Sequence, residues 1–332
     1  MKRLSLLLFL ALPLFAQECC EPCCGFSFGA EWLYLTPSFD QSEFIVDGPP
    51  GIPTAAPFSI TSERVGEKQK YYSAYRLEAS YLFCNQINAL TARYSNFSNT
   101  YKDKVDVAIG NQMLGLTLSP VLDTTAPGNV TFERDYQYYN IEGLYTLYRS
   151  NFCSFMPSFS TGVKFIHLHI KENANYYDGG DNLHQFVTPD MRAWALGPFA
   201  AFDAVFCLTK CLDIIGRFQI GMLASESHSK LTVSGNNDIG QNQVPNTLVV
   251  KDSPKLWHSI QTTYSRIGLS LDKECFLPLC CYAVNLDIEG GYEFLNERRI
   301  INRIYDFNRG LSWDEWSDFT LNGPYLRLNL TY

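Results

Sequence analysis

Cysteine is the residue type whose spacing in this 332-residue sequence most directly suggests chemistry. Four cysteines crowd together near the N-terminus and resemble a zinc knuckle. Adjacent cysteines would force a cramped geometry on a tetrahedral zinc site, however, and no histidine lies near them. We therefore predict no metal site and treat all eleven cysteines as disulfide candidates: Cys19, Cys20, Cys23, Cys24, Cys84, Cys153, Cys207, Cys211, Cys275, Cys280 and Cys281.

The N-terminal residues indicate the compartment in which these thiols reside. Lys2 and Arg3 precede an apolar run that ends near Ala16, which is typical of a secretory signal peptide and too short to span a membrane. We predict a signal peptide over residues 1–16, a cysteine-rich periplasmic segment over 17–25 and a single large domain over 26–332. Because exported chains meet an oxidising environment, we expect disulfides, and the odd total leaves at least one thiol free or bonded to another chain.

Other motifs that carry chemistry are scarce. The sequence contains no glycine-rich phosphate loop, nucleophile elbow or helical metal motif. His167 and His169 share one face of a predicted strand, where we interpret them as polar anchors near the membrane surface rather than metal ligands. The balance of 26 basic against 34 acidic residues argues against nucleic-acid binding. We expect no enzymatic activity and no cofactor.

The elements that must position these residues are β-strands, because apolar and polar residues alternate along much of the chain. Aromatic residues, 14% of the sequence, are concentrated on the apolar sides of these segments. Ten alternating segments lie at 26–34, 75–83, 90–95, 139–147, 159–165, 194–204, 212–222, 257–271, 282–292 and 326–332. Short connections near 84–86, 149–154, 207–211 and 272–280 alternate with long ones near 36–70, 98–131, 171–190, 224–256 and 295–318.

Alternating strands joined by short and long connections in turn predict an all-β fold. We expect a closed antiparallel transmembrane β-barrel in the outer membrane of a Gram-negative bacterium, with short periplasmic turns and long extracellular loops. A mean hydropathy of −0.11 excludes a bundle of membrane helices. A soluble β-sandwich also alternates, but long strands with aromatic faces favour the barrel. We predict ten strands, or twelve if the alternating stretches near 230–234 and 247–250 form another hairpin instead of extending their neighbours.

The first predicted strand carries a resemblance to a known family. Its segment FGAEWLY, residues 28–34, with Pro37 three residues further on, resembles the opening strand of the Legionella-type pore-forming outer-membrane proteins. These proteins also occur in chlamydia-related bacteria and are similar to major outer-membrane porins. The terminal strand, which contains Gly323, Pro324 and Tyr325, supports the resemblance. The resemblance implies a diffusion pore for small hydrophilic solutes.

Nine charged residues fall on the inward face of the predicted strands, where they would line a pore: Arg76, Glu78, Arg93, Glu142, Lys164, Arg217, Asp287, Glu289 and Arg327. An arginine on the lipid face would cost about 2–4 kcal/mol at the membrane midplane, which favours the inward assignment. Neighbouring strands place opposite charges side by side, as for Glu78 and Arg93. Such charges either line a constriction or form a plug, and ten to twelve strands enclose only a narrow space.

We therefore expect a pore-forming outer-membrane protein that passes small hydrophilic solutes and is surrounded by outer-membrane lipid. A non-conducting structural or adhesive barrel is the alternative, and an omptin-like surface protease is a third interpretation. All eleven cysteines precede the first strand or fall at the short turns, which places every thiol on the periplasmic side. This placement predicts disulfides that tie the N-terminal segment to the turns and link the barrel to envelope proteins or to a second copy of the chain.

Overall fold

Alternating residues form long strands in the computed structural model, which describes residues 25–39, 43–48, 63–66, 70–83, 88–107, 112–114, 128–149, 155–177, 183–209, 212–239, 242–271, 285–307 and 311–331. No helix long and apolar enough to cross a membrane occurs in these ranges. The predicted signal peptide and almost all of the cysteine-rich segment lie outside the described residues.

Fourteen strands are assigned in chain order. They are β1 (Gly25–Phe39), β2 (Glu43–Gly48), β3 (Glu63–Gly66), β4 (Tyr72–Leu82), β5 (Ala89–Val107), β6 (Gln112–Leu114), β7 (Gly128–Arg149), β8 (Phe155–Tyr177), β9 (Leu183–Cys207), β10 (Leu212–Ile239), β11 (Asn242–Asp252), β12 (Leu256–Leu271), β13 (Asn285–Phe307) and β14 (Leu311–Thr331).

Ten of these strands close into an antiparallel barrel, which confirms the predicted fold. The pairing follows the order β1, β4, β5, β7, β8, β9, β10, β12, β13 and β14, and β14 pairs back onto β1. Closure leaves no open edge within the barrel, as a strand structure in lipid requires. The remaining pieces are a small separate sheet of β3, β2 and β6, and β11, which pairs with the outer part of β10. The stretches near 230–234 and 247–250 thus extend the wall and add no membrane-crossing pair.

The strands continue well beyond the predicted segments because the phase of alternation inverts along them. On β8, Phe159 and Val163 are more than half exposed on the outside, whereas Ile166 and Leu168 are buried inside. Apolar side chains face lipid within the membrane, and they face the interior where the outside is water. Much of the sequence assigned to long connections therefore belongs to strands, and only residues 178–182 separate β8 from β9.

The interior is divided into layers along the barrel axis. Charged side chains fill the middle, at the depth of the lipid-facing aromatic and aliphatic residues. An apolar layer lies above them toward the extracellular end, and it includes Leu33, Phe97, Tyr136, Ile166, Ile260, Phe319 and Leu321. The charged layer is thus enclosed between lipid on the outside and an apolar core above.

Candidate functional site: a charged belt across the lumen

The nine charged residues predicted to face inward all lie inside the barrel. Seven of them are at most 9% exposed: Arg76, Arg93, Glu142, Lys164, Arg217, Glu289 and Arg327. The side chain of Glu78 is 10% exposed, and Asp287 lies nearer the periplasmic end opposite Asn329. Near the same depth the described strands add four more buried charges to this network that we did not single out from the sequence: Glu31, Arg266, Glu293 and Glu297. We call these residues, without Asp287, the charged belt.

The added residues were missed for identifiable reasons. Glu31 lies on the polar side of the first predicted strand and is the register partner of Arg76, so alternation alone could have found it. Arg266 lies on β12, whose pattern is weak. Glu293 and Glu297 lie where the predicted strand had already ended, and continuing the period of two from Glu289 would have reached both.

Arg76 is the centre of one half of the belt. Its Nη1 donates to Glu31 at 2.6 Å and to Glu293 at 2.8 Å, and its Nη2 donates to the other oxygen of Glu293 at 3.1 Å. Nε donates to the hydroxyl of Ser95 at 2.9 Å, and Tyr264 donates its own hydroxyl proton to Glu293 at 2.9 Å. Because β4 and β13 are separated by two strands in the sheet, these bonds join distant parts of the wall.

A chain of ion pairs continues around the wall from this centre. Arg327 contacts Glu78 at 2.7 Å, and Glu78 contacts Arg93 at 2.6 Å. Arg93 in turn contacts Glu142 at 3.0 Å. Opposite charges alternate along this path, so each carboxylate that has lost water gains a guanidinium partner.

Several carboxylates are shared between cations. Glu31 lies 2.6 Å from Arg76, 3.2 Å from Arg266 and 3.6 Å from Arg327. Glu289 lies 3.2 Å from Arg266 and 3.8 Å from Arg327. Because these separations are short, Glu31 or Glu289 can exchange one arginine partner for another and still keep an ion pair.

Lys164 closes the belt from the other side of the lumen. Its Nζ donates to Glu297 on β13 and to Thr262 on β12, both at 2.9 Å. Tyr138 on β7 also donates to Glu297, at 3.2 Å. The side chains of Lys164 and Glu297 are fully buried, and three or more strands separate β8 from β13 along the wall. The contact therefore crosses the interior of the barrel.

Arg217 is the least satisfied member of the belt. It contacts Asp203 at 3.3 Å, but within the described part of the chain its Nε and Nη2 find no hydrogen-bond partner. Its register partner on β12 is Arg266, so two like charges stand directly opposite each other. Water or an anion would satisfy these donors.

Little open space remains at the belt. One interior cavity is lined by Arg76, Arg93, Tyr138, Glu142, Tyr264 and Glu293, among others, and has a volume of about 20 Å³, enough for one water molecule. In this conformation the described part of the lumen is filled at mid-membrane by paired charged side chains. Above them it is filled by apolar side chains that enclose the ion pairs of Glu172 with Arg134 and Arg303.

The two predicted polar anchors lie on the outside, as their parity requires. His167 stacks on Tyr139 with ring centroids 4.7 Å apart. His169 contacts Asp190 at 3.0 Å. Among the described residues, no group of three or more histidine, cysteine or acidic side chains is placed to hold a metal.

Of the eleven cysteines, only Cys207 falls within the described residues. It ends β9 at the periplasmic rim and carries a free thiol. The other ten, and with them any disulfide, lie outside the described residues.

A ten-stranded barrel with a lipid-facing aromatic surface and a buried charged belt defines an integral protein of the Gram-negative outer membrane. The chain belongs to the family described as Legionella pneumophila major outer membrane protein precursor, whose family model matches residues 19–332. The match covers nearly the whole chain and confirms the family resemblance and the outer-membrane location.

Solved structures of other bacterial proteins resemble the fold at very low sequence identity. The outer membrane protease OmpT from Escherichia coli shares 9% identity, with a TM-score of 0.42 over 96% of this chain and 99% of that one. The Pseudomonas putida toluene transporter TodX shares 8% identity, with a TM-score of 0.30 over 94% of this chain and 89% of that one. A Pseudomonas aeruginosa FadL homologue shares 9%, with a TM-score of 0.27 over 93% and 90%. No curated protein matches the sequence.

Proposed function

We propose that the protein is a pore-forming outer-membrane protein that passes small hydrophilic solutes, with the charged belt as its gate. The observation that carries this proposal is the belt itself, a set of twelve ionisable side chains buried at mid-membrane depth in the lumen. Ionisable residues inside membrane proteins are costly and generally mark pathways for ions or solutes.

The gate is closed in the conformation described above. Opening requires the bonds across the lumen, such as that between Lys164 and Glu297, to be exchanged for pairings along the wall. The sharing of Glu31 among three arginines supports this step, because a carboxylate can change partner without becoming an uncompensated buried charge.

A specific observation favours a second candidate, a non-conducting structural or adhesive barrel. The cavity lined by belt residues has a volume of about 20 Å³, and an apolar layer lies above the belt. Paired charges that bridge a narrow barrel also hold its walls together, which a purely structural protein would require.

Planar-bilayer conductance of the refolded protein separates the two candidates. We expect the wild-type protein to show rare, small openings. A double variant, Arg76→Ser with Glu293→Ser, removes one acid and one base from the wall of the cavity and should open more often and conduct more. Lys102 and Glu133 form a matched pair outside the membrane, 2.8 Å apart, and the corresponding double serine variant should behave as wild type.

Silence of both the wild type and the Arg76–Glu293 variant, with the circular dichroism of a barrel intact, would reject the pore and leave the structural candidate. The proposal includes neither a catalytic activity nor a cofactor, because the belt carboxylates are engaged in ion pairs and do not face an open cleft.

A disulfide-based role at the periplasmic face is the second part of the proposal. Cys207 lies at the rim where β9 ends, and Cys211 follows just before β10 begins. Adjacent cysteines are poorly placed to bond each other, so members of the N-terminal cluster would take separate partners, including envelope proteins or another copy of the chain. Non-reducing electrophoresis of native envelopes tests this: ladders that collapse with reductant are expected, and a monomer alone would refute it.

A further inference from the structure

The outer part of β13 leaves the barrel wall. β12 continues along β10 as far as Leu256, but its pairing with β13 stops at Gln261 and Arg298. Beyond that point, consecutive residues of β13 are all at most 8% exposed: Ile300, Ile301, Asn302, Arg303 and Ile304. In a barrel wall, neighbouring residues alternate between the two faces, and the outward ones are exposed to lipid or water. Because both faces of this segment are covered, it runs through the interior of the barrel.

This segment lies against the inside of strands that are not its neighbours in the wall. Ser229, on the inward face of β10, donates its hydroxyl proton to the main-chain carbonyl of Asn302. Nη2 of Arg303 donates to Glu172 on β8 at 2.9 Å. The outer part of β13 therefore crosses the lumen on the extracellular side of the charged belt.

A bulge separates this crossing segment from the wall. Residues 298–300 of β13 lie opposite Asp318 alone, and beyond them residues 301–307 pair with residues 311–317 of β14. We call these two paired segments the outer hairpin. Within the bulge, Arg299 has a φ of 60°, a left-handed conformation that is unfavourable for residues other than glycine. The direction of the outer hairpin is thus set at one strained position.

Side chains of the neighbouring strands hold Arg299 in this conformation. Its N–H donates to Oδ1 of Asp318, and its carbonyl accepts from Nε2 of His258, both at 2.8 Å. His258 also packs on Trp316 at the base of the outer hairpin, with ring centroids 4.0 Å apart. Hinges are a few residues that absorb a large change in φ and ψ, and Arg299 has the position and the strain that such a residue requires.

The interface between the outer hairpin and β10 is incompletely paired. Within the described part of the chain, the hydroxyls of Ser225 and Ser227 and both polar side-chain atoms of Asn302 have no hydrogen-bond partner, although all three residues are at most 1% exposed. Ser225 and Ser227 share the inward face of β10 with Ser229, which contacts Asn302. Buried polar groups without partners are costly, and water would satisfy them if the outer hairpin moved away.

We propose that the outer hairpin is a lid, hinged at Arg299, that closes the extracellular mouth and is poised to open. Burial of its isoleucines favours the closed lid, whereas the unpaired polar groups favour the open one. Release of Arg303 leaves Glu172 with a partner, because Arg134 lies 3.0 Å from the same carboxylate. Regulation of solute passage by the lid rests on the proposed pore, whereas the movement of the lid does not.

Amide hydrogen exchange of the refolded full chain in detergent micelles measures the opening of the lid. The triple variant Ser225→Ala, Ser227→Ala and Asn302→Leu replaces the unpaired polar groups by apolar ones of similar shape. The closed lid is then favoured, and exchange in residues 301–307 should slow about tenfold or more. Arg303→Met removes a charge-assisted contact and should speed the same exchange about tenfold.

A matched control distinguishes the lid from a general change in stability. Ser98→Ala with Ser259→Ala removes two exposed hydroxyls and should leave exchange in the outer hairpin unchanged. Unchanged exchange in either the triple variant or Arg303→Met, or faster exchange in the triple variant, would overturn the lid. Asn302→Leu alone provides the same comparison if the triple variant does not refold.

Planar-bilayer conductance separates the lid from the pore. In a conducting barrel, Arg303→Met should open more often than wild type, and an unchanged frequency of opening would overturn the regulation of passage by the lid. Exchange that responds as expected in a barrel that never conducts would support the lid and reject the pore.

Discussion

At the scale of single residues, the belt is governed by the cost of an unpaired buried charge. Parity along the predicted strands is enough to place nine charged residues inside the barrel, and neighbouring strands do place Glu78 opposite Arg93. Which side chains form ion pairs across the lumen could not be predicted from the sequence. The approach of Lys164 to Glu297, 133 positions apart, depends on how the barrel closes and how far its strands are staggered.

We expect Lys164→Met to destabilise the barrel by about 3–5 kcal/mol, because it leaves Glu297 buried without its cation. Adding Glu297→Leu should recover most of this loss, because the second substitution removes the uncompensated charge. Urea unfolding of the refolded protein in detergent micelles measures both effects. Additive losses in the double variant would show that the two side chains are not coupled.

Asp190, in the part of the barrel outside the membrane, is a second carboxylate whose partners stabilise its charged form, and here the effect depends on pH. Partial burial raises the pKa of its carboxyl, but the hydrogen bonds from Arg192 and the charge of His169 prevail and lower it below its ordinary value. A depressed folded-state pKa means that this carboxylate stabilises the fold above the unfolded pKa of about 4, and that the stabilisation is lost as pH falls through the folded value.

Amide hydrogen exchange in the outer parts of β8 and β9 should therefore increase, after correction for the intrinsic rate, as pH falls below 4. Asp190→Asn should exchange faster than wild type at neutral pH and lose this dependence. The same acid-induced increase in Asp190→Asn would assign the effect to another group.

At the scale of strands, alternation explains both the success and the limit of sequence reasoning. The pattern predicted ten membrane segments because lipid-facing positions are apolar and lumen-facing positions are polar. On β8 the apolar residues change from the outward to the inward positions between Phe165 and Ile166. In the sequence this change of phase resembles the end of a strand, so the predicted strand stops there. Reading both phases of the alternation predicts the full strand lengths.

Close packing between β7 and β8 offers a test at this scale. A methyl group at Gly162 would lie directly against the carbonyl oxygen of Gly143, whereas one at Gly143 meets nothing within 4 Å. Gly162→Ala should force the two strands apart and cost about 1–3 kcal/mol. Gly143→Ala, one strand away, should cost little. Urea midpoints of the two alanine variants provide the comparison, and equal midpoints would contradict the packing.

At the scale of the whole molecule, the barrel separates two tasks along its axis. The lower half contacts lipid and holds the charged belt, while the outer half is a β-structure in water with its own apolar core. Residue types are consistent with this division, since charged side chains such as Lys171, Asp190 and Lys230 occupy outward positions in the outer half. If the barrel conducts, as proposed, a solute must pass both layers.

Ion preference tests the belt as a pathway through the entire molecule. Arg217 is inside the lumen, 8% exposed, and among the described residues its Nε and Nη2 have no hydrogen-bond partner, which makes it the belt cation best able to bind an anion. If the barrel conducts, Arg217→Gln leaves the lumen more negative and should shift the reversal potential in a salt gradient toward cation preference. Lys102→Gln removes an equal charge from the exterior, where its side chain is 70% exposed and screened by salt, and should shift the potential far less. Equal shifts in the two variants would mean that the permeating ions do not pass the belt.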